Sequence, residues 1–393
     1  MVREFFISIY LLIFRITFHL LNFIPSKEKT TLVASFGDNI SHVAEELEAT
    51  TNTEIVILKA TGCKKDFKHI SSAKIIDFQS KNPINFVSSI FHLATSKVIF
   101  IDNYFGFLSV MNFKPEVICV QLWHAAGAIK RFGLTDPSIE QRSQKAIKRF
   151  KAVYERFHYV VVGSEKMAAI FRKSFDLKPE NILRTGIPRT DFFFDKQKTS
   201  EVRKELAREF PVINEKKVLL YAPTFRDDQL QSPDLALDLD RLHKELSDEY
   251  VLFLRLHPAV SSQLNDKYPD FVIDVKNYEN INHLLLVTDI LISDYSSIPF
   301  EYSLLEKPMI FYSYDLENYQ TSRGFWEDYH KSMPGPVVNN TEEVLSVIRN
   351  NSFSLKQIKQ FANEWNQYSK GNSSQSLISF VYEQPESAKV LNQ

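Results

Sequence analysis

What the chain lacks narrows it first. Only two of its 393 residues are cysteine, Cys63 and Cys119. Two thiols support neither a disulfide framework nor a cysteine-rich zinc site, and a reducing cytoplasm is the expected compartment. Glycine is scarce, at 10 residues, and no 20–50-residue repeat recurs, so collagen-like and solenoid architectures are excluded. There is no excess of either charge: 47 basic and 48 acidic residues leave a net −1, so no global basic field points to nucleic acid. G-x-G-x-x-G, P-loop and H-E-x-x-H signatures are missing, which removes support for dinucleotide binding, P-loop hydrolysis and zincin chemistry. What is present is apolar: 44% hydrophobic residues, with 32 Phe. That is ample for two or three domains at roughly 150 residues each, and rules out wholesale disorder.

The first 24 residues stand apart. From Phe5 to Ile24 the chain reads FFISIYLLIFRITFHLLNFI, long enough to span a bilayer. On a helix of about 100° per residue, Glu4, Ser8, Arg15, His19 and Asn22 gather in one stripe. Arg15 near the centre makes spanning costly. The pattern predicts an amphipathic helix in the membrane interface, its polar stripe toward water. A signal segment and a buried helix of the first domain are the alternatives, although no A-x-A-like cleavage site follows.

Beyond residue 24, short β-branched runs alternate with helical spacing. The runs at 31–36, 54–58, 74–78, 97–102, 117–122 and 159–163 form one series; those at 217–222, 250–256, 271–275, 289–293 and 308–312 form a second. Runs apolar on both faces imply parallel sheets covered on each side. The expected architecture is α/β: 1–24 an interfacial helix, 25–200 an N-terminal Rossmann-like acceptor domain, and 201–393 a C-terminal Rossmann-like donor domain. Helices are expected from Thr341 to Phe361 and beyond. Two doubly wound domains facing a cleft would bind ligand at the carboxyl ends of their strands.

Four strand ends carry unusual chemistry. The first is Trp123-His124-Ala125-Ala126-Gly127, where an imidazole arrives at a strand end before small residues. Such a histidine either accepts a proton as a general base or caps the next helix. Lys130 and Arg131 follow, then a basic run over Arg142–Arg156 that suits either solvent or anionic lipid. The second is Ala222-Pro223-Thr224, where proline ends the strand and Thr224 is expected to offer a hydroxyl and a backbone N–H to a ligand. The third is Arg255-Leu256-His257, whose cationic residues share a strand face and suit either a diphosphate or ordinary core pairing. The fourth is Ser293-Asp294-Tyr295-Ser296-Ser297 with Glu301, where the serines fall at a helix start that either cradles phosphate or simply caps. Asp238 and Asp240 mimic a sugar-nucleotide metal motif but open a helix, so no metal site is expected.

Together with TGIPRTD (185–191) and RGF (323–325), these motifs occur in the order found in the CDP-glycerol glycerophosphotransferases of teichoic acid synthesis, which the chain resembles from about Val98 to Val338. The resemblance implies a GT-B-like fold and transfer of glycerol phosphate from CDP-glycerol with release of CMP, without an obligatory cofactor or metal. It implies His124 as general base, with Arg255 and His257 stabilising phosphate charge. CDP-glycerol contacts carry over to Trp123, Ala125, Ala126, Gly127, Arg189, Pro223, Thr224, Arg255, Leu256, His257, Ser296, Ser297 and Glu301. Polymerases of the family usually carry Trp-His-Gly-Thr. The Trp-His-Ala-Ala form here, with Ile101-Asp102-Asn103-Tyr104 upstream and no additional N-terminal region, resembles instead the TagB/TarB primases. These add one glycerol phosphate to an undecaprenyl-diphosphate-linked N-acetylmannosaminyl-N-acetylglucosamine. The implied setting is the cytoplasmic face of the membrane, with contacts to other teichoic acid enzymes and none to nucleic acid. A poly(glycerol phosphate) polymerase or second-unit transferase of the same family, a nucleotide-sugar glycosyltransferase of GT-B architecture and a non-catalytic membrane-bound assembly partner are the rival readings.

Overall fold

The computed structural model describes residues 2–78, 82–224, 235–256 and 267–383. The chain divides into two compact units. The first holds the residues up to His124, then Phe132–Asp191, and the described residues from Tyr368 onward; the second holds Ala125–Arg131 and Phe192–Gln367.

In the first unit seven strands form a wholly parallel sheet in the order β3-β2-β1-β4-β5-β6-β7. They are β1 (Lys27–Ala34), β2 (Glu54–Ala60), β3 (Lys74–Phe78), β4 (Ser96–Ile101), β5 (Ile118–Gln121), β6 (Tyr159–Val161) and β7 (Ile182–Leu183). The last six residues of β1 are all buried, as a strand covered on both faces requires. The second unit repeats the plan with six strands in the order β10-β9-β8-β11-β12-β13. These are β8 (Lys217–Tyr221), β9 (Tyr250–Leu254), β10 (Val272–Asp274), β11 (Ile290–Ser293), β12 (Met309–Tyr312) and β13 (Val337–Val338). All eleven strands expected from the sequence are present. The two that were not, β7 and β13, are two-residue edge strands, too short for any hydrophobic period to register. In each sheet the strand order reverses beside the first strand, between β1 and β4 and between β8 and β11. That switch point is where open α/β sheets bind ligands.

Helix α1 (Val2–Leu21) is present at the expected place, with one side packed on the first unit. Phe14 and Phe18 are buried. Phe14 stacks on Phe107 at 4.9 Å and meets Phe86, from helix α3 (Pro83–Thr95), edge-on. Three residues of the polar stripe, Glu4, Ser8 and Asn22, are half-buried against protein, whereas Arg15 and His19 are exposed. Glu4 accepts two bonds from Arg149, at 3.0 and 3.1 Å, and Ser8 accepts one from Lys145 at 2.7 Å. Asn22 donates to the Asn112 carbonyl. The basic run supplies these partners on the helix Gln144–Tyr154, so two of its cations seat α1. Consequently Phe5, Phe6, Leu12, Ile13, Ile16 and Leu20 are left exposed.

Candidate active site

At the end of β5 the chain turns immediately. Trp123 has φ 60°, in the left-handed region that a bulky residue seldom adopts, so the turn must be held from outside. Gln121 accepts from the Trp123 N–H at 2.8 Å and donates to the Asn103 carbonyl at 3.0 Å. Asn39, in the first turn of helix α2 (Asp38–Thr50), donates from Nδ2 to the Trp123 carbonyl at 2.9 Å and the Leu122 carbonyl at 3.3 Å. Its Oδ1 accepts from the Arg189 N–H at 2.9 Å. The Arg189 guanidinium reaches the His124 carbonyl at 3.1 Å and Asp38 at 3.4 Å. Arg189 is therefore buried beside the backbone of the candidate base.

The His124 ring lies between two aromatic neighbours, Phe36 at 4.1 Å and 14° and Trp123 at 4.3 Å and 28°. Its Nδ1 is 3.3 Å from the Asp102 carbonyl oxygen. A carbonyl only accepts, so in the neutral ring this contact puts the hydrogen on Nδ1 and leaves the Nε2 lone pair as the basic site. Asp102, directly after β4, is itself clamped. Its carboxylate accepts from the N–H groups of Ser35, Phe36 and Gly37 at 2.8, 2.9 and 2.7 Å. Burial pushes its pKa up to about 6, and the three N–H bonds oppose that rise.

The second unit repeats this device. Asp294, directly after β11, accepts from both the N–H and the hydroxyl of Thr224, at 2.8 and 2.7 Å. Its carbonyl accepts from Tyr329. Thr224 and Pro223 are partly exposed beyond β8, as are Ser296 and Ser297 beyond β11. The helix Ile298–Tyr302 that follows starts with Pro299 in its first turn, and Ser296 Oγ accepts from the Ile298 N–H at 3.2 Å. Ser297 occupies the cap position without a side-chain cap bond. Arg255, just past β9, donates to the carbonyls of Tyr278 at 2.7 Å and Val275 at 3.3 Å, which fixes its guanidinium near the strand end. Leu256 and Glu301 are buried. His257 lies outside the described residues.

Other residues singled out in the sequence have structural work. Ala125, Ala126 and Gly127 are buried in the second unit. A Cβ on Gly127 would come within 2.3 Å of the Phe300 ring, so only glycine fits there. Lys130 donates to the Tyr319 hydroxyl, and Arg131 bonds through Nε to the Phe325 carbonyl. Asp238 caps the helix Leu239–Leu246, and Asp240 accepts from Tyr268 and Lys267. Among the described residues no cluster of His, Cys, Asp and Glu fits a metal ion. Sequence reasoning gave no site role to Asn39, Gln121, Asp102 or Asp294. The two aspartates each directly follow an apolar strand, but that this strand borders the first strand of its sheet is shown only by the fold.

Comparison with known proteins is consistent along the chain. A teichoic acid glycerol-phosphate primase of Bacillus subtilis (strain 168) is 40% identical over 368 residues, 92% of this chain and 93% of that protein. A teichoic acid poly(ribitol-phosphate) polymerase of Bacillus spizizenii (strain W23) is 35% identical over 390 residues, 96% of this chain but 61% of that protein. A solved structure of the wall teichoic acid polymerase TagF, soaked with CDPG, superposes with a TM-score of 0.79 at 25% identity, covering 98% of each chain. The family model for CDP-glycerol:poly(glycerophosphate) glycerophosphotransferases matches residues 16–383. The chain belongs to that family of glycerophosphotransferases of teichoic acid synthesis.

Proposed function

We propose that this protein is a teichoic acid glycerol-phosphate primase. It transfers one glycerol phosphate from CDP-glycerol to the N-acetylmannosamine of an undecaprenyl-diphosphate-linked disaccharide, and releases CMP. The observation that carries the chemistry is His124, whose Nδ1 contact with the Asp102 carbonyl leaves Nε2 as proton acceptor. His124 Nε2 takes the proton from the acceptor hydroxyl, the resulting oxygen bonds to the phosphorus bearing glycerol, and the phosphoanhydride bond to CMP breaks. Thr224, Ser296, Ser297, Arg255 and His257 hold the donor and offset charge on its phosphates, so catalysis is chiefly positioning and electrostatic stabilisation. Arg189 supports His124 through its carbonyl.

The primase assignment, as opposed to polymerisation, follows the 40% identity to the B. subtilis primase across nearly both chains. The 35% identity to a polymerase favours a second reading, repeated addition. The outward apolar face of α1 supports residence on the cytoplasmic membrane surface, where a polyprenyl acceptor lies. Incubating purified protein with CDP-glycerol and a short-chain analogue of the lipid-linked disaccharide tests the reading by product mass. One added glycerol phosphate with equimolar CMP is expected. A ladder of additions makes the protein a polymerase, and no addition despite bound CDP-glycerol points to a different acceptor.

A further inference from the structure

Phe36 is an anomaly beside the candidate base. Its ring stacks on His124, yet 48% of the residue remains exposed. The mount beneath it is rigid, because the N–H groups of Ser35, Phe36 and Gly37 all end on the Asp102 carboxylate. Gly37 has φ +97°, and a Cβ there would lie 2.6 Å from the Lys65 Cβ and 3.1 Å from both Cys63 Sγ and the Phe67 ring. The loop after β2 is thus packed against the Phe36 turn. That loop carries Lys64 and Lys65, with Lys64 exposed and Lys65 partly so, while Asp66 turns back on its own loop to accept from the Lys68 N–H. Within the first unit an exposed phenyl ring thus stacks on the imidazole, and the loop that carries Lys64 and Lys65 packs against the turn beneath that ring.

We infer that Phe36, with Lys64 and Lys65, forms the subsite for the sugar-diphosphate end of the acceptor. This rests on the function proposed above. An aromatic ring on a fixed turn offers an apolar surface to the C–H face of a pyranose, which brings a ring hydroxyl beside the imidazole. Ammonium groups on a neighbouring loop suit the diphosphate that such a sugar carries, since lysine binds phosphate as a compact point charge. A ring that served only to cover His124 would gain by being covered in turn, and this one is not.

The test uses two acceptors, the disaccharide on a short-chain lipid diphosphate and the same disaccharide as an uncharged alkyl glycoside. Phe36→Ala is expected to raise KM for both acceptors about tenfold while leaving KM for CDP-glycerol within about twofold, and Phe36→Tyr to restore most of the loss. The double change Lys64→Gln/Lys65→Gln is expected to raise KM for the diphosphate acceptor only. Loss of kcat in Phe36→Ala with acceptor KM unchanged would mean that the ring serves His124 alone, and the subsite would be wrong. Equal effects of the lysine changes on both acceptors, or none on either, would remove the diphosphate contact. If those variants behave like a fully active wild type, only this subsite fails. If the wild type transfers to neither acceptor, the primase reading fails and takes the subsite with it.

Discussion

Trp123 pays for its left-handed backbone with strain that only a network can hold, and Asn39 is the member whose amide is most fully used. Replacing it with aspartate keeps an acceptor for the Arg189 N–H but removes both donors and sets a carboxylate against two carbonyl oxygens. Because displacement of a catalytic group by about 1 Å costs on the order of 100-fold, Asn39→Asp is expected to lower kcat by about that factor with little change in KM for CDP-glycerol. His124→Ala should abolish turnover while CDP-glycerol still binds; steady-state kinetics and donor titration check both. The sequence singled out His124 as a candidate because a histidine at the end of an apolar strand is conspicuous. It could not identify Asn39, which lies 84 positions from its Trp123 partner and sits in an ordinary helix start.

Lys29 is the other residue whose role depends on burial. Its ammonium donates to Thr95 at 2.6 Å and lies 3.2 Å from His92 Nδ1, with Lys74 on the far side of that ring. Burial lowers its pKa to about 8, against attraction from Glu54 and with repulsion from Lys27 and Lys74. His92 falls to about 4 for the same leading reason. Between pH 8 and about 10.4 the unfolded chain holds a proton that the folded Lys29 has lost, so this group makes stability rise with pH across that window. Lys29→Met should flatten the alkaline rise without lowering stability at pH 7, since replacing a buried charge by an apolar side chain of similar length is often neutral or favourable. Urea midpoints measured from pH 7 to 10 check it.

Among the elements, the strand pair at each switch point repeats one solution: an aspartate directly after the fourth strand of the unit binds N–H groups of the loop after the first. Asp102 does this for β1 and Asp294 for β8. Each loop carries candidate site residues, so each aspartate shapes the loop of its own unit without needing to touch substrate. In Asp102→Asn only one oxygen remains to accept, and the amide cannot satisfy all three donors. A buried donor left unpaired costs about 1–3 kcal/mol, so the variant should lose about that much stability by chemical denaturation. The strands themselves were legible because each long run is apolar on both faces, the mark of a parallel sheet between helices. The aspartates' function was not, since it depends on which strands become neighbours, and β4 joins β1 only after the chain has passed through β2 and β3.

On the scale of the whole molecule, connectivity and the exposed face of α1 go beyond what a linear reading supplies. The last helix among the described residues, Ser373–Glu383, returns to the first unit, where Asp191 accepts from the N–H groups of Ser373 and Ser374, both at 2.8 Å. No local pattern announces such a return, because the capping aspartate lies 182 residues before Ser373. At the other end, periodicity gave α1 its amphipathic character but not its protein contacts, since the cations that claim Glu4 and Ser8 lie on a helix more than 120 residues later. With Phe14 and Phe18 buried in the protein and Glu4 tied to Arg149, α1 is suited to lie along a bilayer rather than cross it. Its exposed Leu12 and Ile16 would then be the groups immersed in lipid, each contributing about 1.5–3 kcal/mol if fully buried there. Leu12→Gln/Ile16→Gln should therefore weaken binding to anionic phospholipid vesicles at least about tenfold. Both side chains point away from the protein, so turnover of a short-chain soluble acceptor should remain near the wild-type rate. Vesicle binding that survives this change but disappears at high salt would transfer the contact from the apolar face to exposed cations such as Lys148 and Lys151.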